Sequence, residues 1–372
     1  MPTTLVVTND FPPRIGGIES FVATACRLLD GDVVVYASGP PGVGRADRAL
    51  GYPVVRDGSV LLPTPRVARR AADLLRRHGA TRVLFGSAAP LGLLAPGLRR
   101  AGARQLVGLT HGHEVWWATV PGARALLRRV GQGCDHLTTI SAFTQRRIAP
   151  ALDPGARGRL LRLPPPVDVD LFSPVPGPAE PGPRVVAVAR FVRQKGLDTL
   201  LRAWARVRAA GVDPAAELVL VGDGPQRAAL QTLARRLGVA GSVRFPGPLA
   251  PAAVVAELRR AAVFALPVRT RLGGLNPEGF GLAAVEAAAC GLPVLVGGSG
   301  GAAETVQHGV TGWVLPSDDV AAWADRTVAL LADPAAARAA GARGRAFVSA
   351  TYGLPQARAT LRAALRLDGD AQ

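Results

Sequence analysis

A single lysine, Lys195, stands among the 44 basic residues of this chain. It lies in Ala189-Arg190-Phe191-Val192-Arg193-Gln194-Lys195-Gly196, five residues after Arg190, in a loop that leads from a β-type run into a helical one. An ammonium is a compact point charge and a guanidinium a planar fork. A background of arginine that keeps one lysine therefore marks a place where the two are not interchangeable. Two cations so spaced can clamp the two phosphates of a leaving group. The plainer reading is a solvated loop pair, and the uniqueness of the lysine weighs against it.

A pair of carboxylates forms the next constellation, in Asn276-Pro277-Glu278-Gly279-Phe280-Gly281-Leu282-Ala283-Ala284-Val285-Glu286. Glu278 and Glu286 straddle a Gly-rich loop and the first turn of a helix. Glu278 can reach a sugar, the intervening N–H groups can face phosphates, and Glu286 can hold ribose hydroxyls. In a solvated helix Glu286 would be ordinary. Its small apolar flanks suggest burial instead, and a buried carboxylate demands partners.

Near the start, Thr8-Asn9-Asp10-Phe11-Pro12-Pro13-Arg14-Ile15-Gly16-Gly17-Ile18-Glu19 joins a strand to a helix. Gly16 and Gly17 let backbone approach a ligand closely, and free N–H groups at a helix start suit a diphosphate. Thr110-His111-Gly112-His113-Glu114 follows directly on a strand end, where open α/β sheets bind ligands. His111 is the functional candidate there, and His113 reads as a solvated or core histidine. A metal at His-x-His would need more ligands, and His78, His136 and His308 have no metal-like spacing. Asp168-Val169-Asp170 mimics a metal-binding DxD but reads as turn chemistry in a Pro-rich stretch. Gly222-Asp223-Gly224-Pro225 reads as a strand-to-helix turn.

The elements that must position these groups alternate β-branched runs with helical periodicity, which predicts an α/β fold with parallel sheets. In the first half the expected strands are 5–8, 33–37, 82–85, 105–110 and 136–140, with helices over 18–29, 66–78 and 122–130 between them. The second half gives strands at 185–189, 217–221, 243–245, 263–266 and 294–296, with helices near 197–210, 225–237, 252–261 and 282–290. Helices over 334–349 and 354–367 close the chain. Each half predicts its own doubly wound domain. The division expected is 1–165, a Pro-rich connection at 166–182, a second domain over 183–350 and a C-terminal segment over 351–372. The connection carries Pro174, Pro176, Pro178 and Pro181.

At 372 residues with 48% apolar content, the chain has ample material for two buried cores, which excludes intrinsic disorder. No signal peptide and no membrane-length apolar run are expected from the sequence. Three cysteines, Cys26, Cys134 and Cys290, form no CxxC pair and read as reduced thiols of a cytoplasmic protein. The net charge of +17 is densest in residues 1–150, with 19 Arg against 9 acidic residues. Such a balance favours an anionic partner: a lipid surface, nucleic acid or a phosphorylated substrate. Arg-biased codon usage would produce the same excess.

Together these residues resemble the family 4 retaining glycosyltransferases of GT-B fold, two Rossmann-like doubly wound domains facing across a central cleft. The resemblance runs along nearly the whole chain, through Gly16-Gly17, the Arg190/Lys195 pair and Glu278-x7-Glu286. The segments Thr8–Ile18, Thr110–Val115 and Arg269-Thr270-Arg271 narrow it to the actinobacterial GDP-mannose-dependent mannosyltransferases acting on phosphatidylinositol monomannoside. That likeness implies roles. Gly16 would contact the donor diphosphate, and His111 would hold the transferred sugar near its oxocarbenium-like transition state. Arg190 and Lys195 would neutralise the departing diphosphate. Glu278 and the backbone of Gly279, Phe280, Gly281 and Leu282 would fix sugar and phosphates, and Glu286 would bind ribose. It also implies retention, no metal or other cofactor, and a C-terminal helix that returns to the N-terminal domain.

Three departures stand out. Pro248 replaces the arginine of a usual Gly-Arg-Leu, removing a cation and an N–H near the base pocket. Asn276 replaces a usual Asp, and Pro164-Pro165-Pro166-Val167-Asp168 replaces Pro-x-Gly-Val-Asp. Competing readings are a family 4 enzyme using another nucleotide sugar or a soluble acceptor, and a non-catalytic nucleotide or nucleic-acid binding protein. The last leaves Lys195 and both glutamates unexplained, and no nucleic-acid motif is present. For an anionic glycolipid acceptor, Trp116 and Trp117 followed by Arg124, Arg128 and Arg129 on one helix are the expected docking residues. They would make the protein peripheral on the inner face of the plasma membrane.

Overall fold

The computed structural model describes residues 3–14, 16–30, 32–39, 47–174 and 183–367. The chain divides into two compact units: one runs to Pro166 and resumes at Leu354, and the other is Val167–Gly353. Each is a parallel sheet with helices on it, as the alternating pattern requires.

The first unit holds β1 (Thr4–Thr8), β2 (Val33–Ser38), β3 (Val54–Asp57), β4 (Arg82–Phe85), β5 (Gln105–Leu109), β6 (His136–Thr139) and β7 (Leu160–Arg162). They pair in the order β3-β2-β1-β4-β5-β6-β7. Every neighbouring pair is parallel, with Val6 opposite Val35 on one side and Leu84 on the other. The central strands are buried along their whole length, which is why they read as continuous apolar runs. Helix α1 (Gly17–Leu28) follows β1, and α2 (Pro65–Arg77) precedes β4. In α2 the Thr64 side chain accepts from the Val67 N–H and proline occupies the first turn, while Val67, Ala71, Leu74 and Leu75 are buried. A short α3 (Glu114–Thr119) and a longer α4 (Pro121–Gly133) follow β5.

The second unit holds β8 (Arg184–Val188), β9 (Glu217–Val221), β10 (Val243–Gly247), β11 (Val263–Leu266), β12 (Val294–Gly297) and β13 (Gly312–Leu315), ordered β10-β9-β8-β11-β12-β13 and again all parallel. Helices α5 (Leu197–Ala209), α6 (Arg227–Arg236) and α7 (Leu282–Ala289) carry or adjoin the residues singled out above. Strand order reverses between β1 and β4 in one sheet and between β8 and β11 in the other. Such reversals open a crevice at the carboxyl ends of the strands.

Several elements differ from the expectation. β3, β7 and β13 are sheet-edge strands that the sequence pattern did not mark, as are α3 and helices over Ala142–Ile148 and Val320–Ala332. The helix expected to end at 349 runs to Tyr352, because the Tyr352 hydroxyl donates to the Glu304 carbonyl at 2.6 Å and its ring packs edge-on against Phe280. Residues 351–353 thus belong with the second unit. So do Val167–Pro174, where the Val167 N–H donates to the Tyr352 carbonyl at 2.8 Å. Pro176, Pro178 and Pro181 lie outside the described residues. The Asp168 carboxylate accepts from the N–H groups of Asp170 and Leu171, an Asx turn.

The C-terminal helix, Leu354–Ala364, packs beside α1 in the first unit. Buried Arg82 donates to the carbonyls of Leu365 (2.8 Å) and Arg366 (2.9 Å), and buried Gln105 to that of Ala364 (2.7 Å). Both residues open their strands, so this helix is fastened at the amino ends of the sheet.

Candidate functional site

In the second unit the loop after β8 brings Lys195 to Glu278, with Nζ 2.6 Å from Oε2, although 83 residues separate them. Gly196 follows in the left-handed region at φ +66°, where a Cβ would stand 1.9 Å from the Pro267 carbonyl oxygen. The loop is held further by Gln194, whose amide donates to the Pro277 carbonyl at 2.8 Å and reaches the Asn276 side-chain oxygen at 3.2 Å. An Asp at 276 would accept the same bond, so that departure costs no contact. Arg269 also locks this region: it pairs with Asp198 and Asp318 and donates to the Arg193 carbonyl at 2.8 Å. Arg190 is exposed, and no side-chain partner is found for it among the described residues.

The Glu278 segment is equally fixed. Its N–H donates to the Ser299 hydroxyl at 3.1 Å, and its carbonyl accepts from Gly301 at 2.9 Å. Gly281 is the N-cap of α7 and offers no side-chain cap; the Ala284 N–H donates to the Gly281 carbonyl at 2.9 Å, and the N–H groups of Leu282 and Ala283 before it have no hydrogen-bond partner among the described residues. Phe280 is buried against Tyr352, which leaves only its backbone for a ligand. One turn on, Glu286 is half-buried, and its carboxylate has none of the expected side-chain or backbone partners among the described residues. Burial alone pushes its carboxyl up to about 7. Beyond β10, Pro248 is exposed, and Arg227 from α6 donates to the nearby Phe245 carbonyl at 3.0 Å.

In the first unit the carboxyl ends of β1, β4 and β5 carry the other candidates. Gly16 is the N-cap of α1 with extended backbone and no side-chain cap. A Cβ there would meet the end of the Glu19 side chain, 2.2 Å from Oε2, so that carboxylate lies over the backbone a phosphate would approach. Gly17 is open above its Cα. The His111 ring stands edge-on to Phe21, with Nε2 2.5 Å from the Gly86 carbonyl oxygen. A carbonyl can only accept, so Nε2 carries the proton and Nδ1 keeps its lone pair. Burial holds the imidazole below its usual range and therefore neutral near pH 7. His113 is exposed and serves as N-cap of α3.

Glu114 was not given a role by sequence reasoning, yet it is wholly buried beneath this loop, and its Oε2 accepts from the N–H groups of His111 (3.0 Å) and Gly112 (3.1 Å). The available signal was its place: a carboxylate just beyond the end of a central strand, at the first position of a helix.

The surface expected to dock on lipid is partly corrected. Trp116 is 44% exposed, but Trp117 stacks on it and packs against the apolar core, so it is no surface anchor. Arg124, Arg128 and Arg129 are exposed, while Leu127 and Val130 turn inward. The arginines border a surface pocket with Gln132 and Pro150, and Arg124 donates to the Pro150 carbonyl at 2.7 Å. Val120, between the two helices, is exposed as well. Val60 (60%) and Leu62 (53%), in the loop before α2, are further exposed apolar side chains that the sequence reading missed. No helix among the described residues is long and apolar enough to cross a membrane.

Comparison with known proteins gives the following. The family model for Glycosyltransferase Family 4 matches residues 15–171, and that for Glycosyl transferases group 1 matches 168–347. The chain is 44% identical over 369 residues, 95% of each protein, to the GDP-mannose-dependent alpha-(1-6)-phosphatidylinositol monomannoside mannosyltransferase of Mycobacterium tuberculosis. It is 40% identical over 364 residues, 94% of each, to the GDP-mannose-dependent monoacylated alpha-(1-6)-phosphatidylinositol monomannoside mannosyltransferase of Corynebacterium glutamicum. Among solved structures, Anabaena HepE in complex with UDP superposes with a TM-score of 0.80 at 19% identity, covering 98% of this chain and 100% of that one, a likeness of fold.

Proposed function

Because this chain belongs to the family 4 glycosyltransferases of GT-B fold, we propose that it transfers an α-mannosyl group from GDP-mannose to a phosphatidylinositol mannoside-type glycolipid. The observation that carries this reading is the contact of Lys195 with Glu278 beside the uncapped start of α7. Of the ammonium's three donors, one goes to the carboxylate and two remain for phosphate oxygens. Arg190, whose side chain has no partner among the described residues, supplies the second cation. Together they meet the charge that grows on the diphosphate as the glycosidic bond breaks, and the α7 N–H groups add to it. Glu278 fixes the sugar, Glu286 takes the ribose hydroxyls, and the Gly16 backbone contacts the diphosphate. His111, neutral, holds the transferred sugar. With retention of configuration, the departing phosphate takes the proton of the acceptor hydroxyl. Charge neutralisation by Arg190 and Lys195 supports a reaction that needs no metal.

The acceptor is read as an anionic glycolipid at a membrane surface, with Trp116, Arg124, Arg128 and Arg129 as the docking residues and the protein peripheral on the inner leaflet. The deciding experiment incubates the purified protein with labelled GDP-, UDP- or ADP-sugars and phosphatidylinositol monomannoside, with and without EDTA. Label entering the glycolipid from GDP-mannose alone, undiminished by EDTA, supports the proposal. Transfer from another nucleotide sugar, or to a soluble acceptor only, replaces the donor or acceptor. Salt-sensitive nucleic-acid binding without any transfer would replace the whole reading.

A further inference from the structure

Glu114 occupies a position that a turn alone does not call for. Thr110 is pinned by its own N–H and hydroxyl to the Thr138 carbonyl, at 3.3 and 2.7 Å. The chain then reverses at Gly112, whose φ of +96° lies in the left-handed region. This reversal turns two successive N–H groups, of His111 and Gly112, onto the same oxygen of Glu114 at 3.0 and 3.1 Å. The other oxygen, Oε1, is buried without a hydrogen-bond partner among the described residues. His113 Nε2 stands 3.2 Å away, outside hydrogen-bond geometry. A carboxylate that is wholly buried, with one oxygen lacking a hydrogen bond and only the exposed His113 ring at ion-pair distance, is costly, and a glutamine or serine could cap the same turn at less cost. The neighbouring group that gains is His111, fixed through its backbone by Glu114 and through its ring by Gly86.

We propose that Glu114 is a positioning residue for glycosyl transfer, acting through His111. Its carboxylate sets the His111-Gly112 backbone, and its formal negative charge lies next to the residue assigned to the sugar, where positive charge develops as the leaving group departs. This rests on the assignment of His111 made above.

The test compares Glu114→Gln, Glu114→Ala and His111→Ala, each measured for kcat and donor KM with GDP-mannose and for thermal unfolding. Glu114→Gln keeps an oxygen for both N–H groups and puts an NH2 of similar size in place of Oε1, so the charge goes while the shape stays, and its thermal unfolding is expected to match wild type. Its kcat falls about tenfold while KM stays within about twofold. Glu114→Ala loses the backbone bonds as well and falls about a hundredfold or more. In a His111→Ala background, adding Glu114→Gln costs no further activity, because a residue that acts through another is non-additive with it. Wild-type kcat in a folded Glu114→Gln variant overturns the proposal, and so does a fully additive double variant. A loss in Glu114→Gln that only follows its unfolding curve also overturns it, since that marks a structural role. If wild-type protein itself moves no mannose, the functional reading fails instead, and that result appears in the control arm.

Discussion

Glu286 couples nucleotide binding to pH in a way that can be worked out in advance. Its carboxyl is raised from 4.5 to about 7 by burial, with no hydrogen bond from the described residues to offset the cost. The folded protein therefore binds this proton more tightly than the unfolded chain. The sign follows: stability contributed at Glu286 is lost as pH rises from about 4.5 through about 7 and is level above that, a span of about 3 kcal/mol. Ribose hydroxyls donating to the carboxylate favour its ionised form. If they return it to its ordinary value, GDP affinity rises about thirtyfold between about pH 5.5 and about pH 8.5, and about 0.9 proton leaves per GDP bound near pH 6. Calorimetry with GDP in two buffers of different ionisation enthalpy reads the proton count directly. Glu286→Gln should flatten the pH dependence, release no proton, weaken GDP binding at pH 8 and unfold at a higher temperature than wild type at that pH. A wild-type affinity that does not change with pH, or a variant that binds GDP as tightly as wild type at pH 8, refutes the assignment to ribose.

Lys195→Arg should fold normally yet lose about a hundredfold in kcat, roughly 3 kcal/mol of transition-state stabilisation, because a fork that pairs with Glu278 leaves its remaining donors misdirected for phosphate; near-wild-type turnover sinks that role. His111→Ala should lower transfer far more than His113→Ala, since only the His111 ring is held by Gly86 and Phe21, and steady-state rates for both variants decide it. Changing Arg124, Arg128 and Arg129 together to Gln should remove about 3 kcal/mol of affinity for anionic membranes, at about 1 kcal/mol for each cation near the surface. Co-sedimentation with phosphatidylinositol-containing liposomes at low and high salt measures this, and equal binding by the triple variant moves the docking surface elsewhere, with Val60 and Leu62 next to be tried.

Central strands were the most legible part of the fold. β1, β4, β5, β11 and β12 are buried throughout, and a strand covered on both faces must be a run of apolar residues. β3 and β7, by contrast, close the edges of their sheet and are mostly half-buried or exposed, so no apolar run announces them. Helices behaved in the same way. α2 shows its cap, its proline and its buried stripe in the sequence, whereas α3 is six residues long and begins with a glutamate whose burial only the folded loop reveals. Trp117 misled for a related reason. The two adjacent tryptophans stack on each other, yet one meets solvent while the other meets the core, a division that adjacency in sequence does not reveal.

Lys195 and Glu278 could each be singled out by residue type, but nothing local states that they touch. Their contact follows from topology. β8 and β11 are adjacent in the sheet although β9 and β10 intervene in sequence, so the loops leaving their carboxyl ends emerge side by side. The same reasoning places His111 against Gly86, since β4 and β5 are neighbours and the residues just past their ends must meet. Chemistry-bearing residues thus collect where the strands end. The amino ends are taken up with fastening, as Arg82 and Gln105 do for the C-terminal helix. A sequence reader who trusts the strand order can extend this rule: a polar group just beyond a central strand is a candidate for function, and one that opens such a strand is a candidate for stability. Glu114 satisfies the first condition, five residues past β5, and that position, more than its residue type, is what marks it.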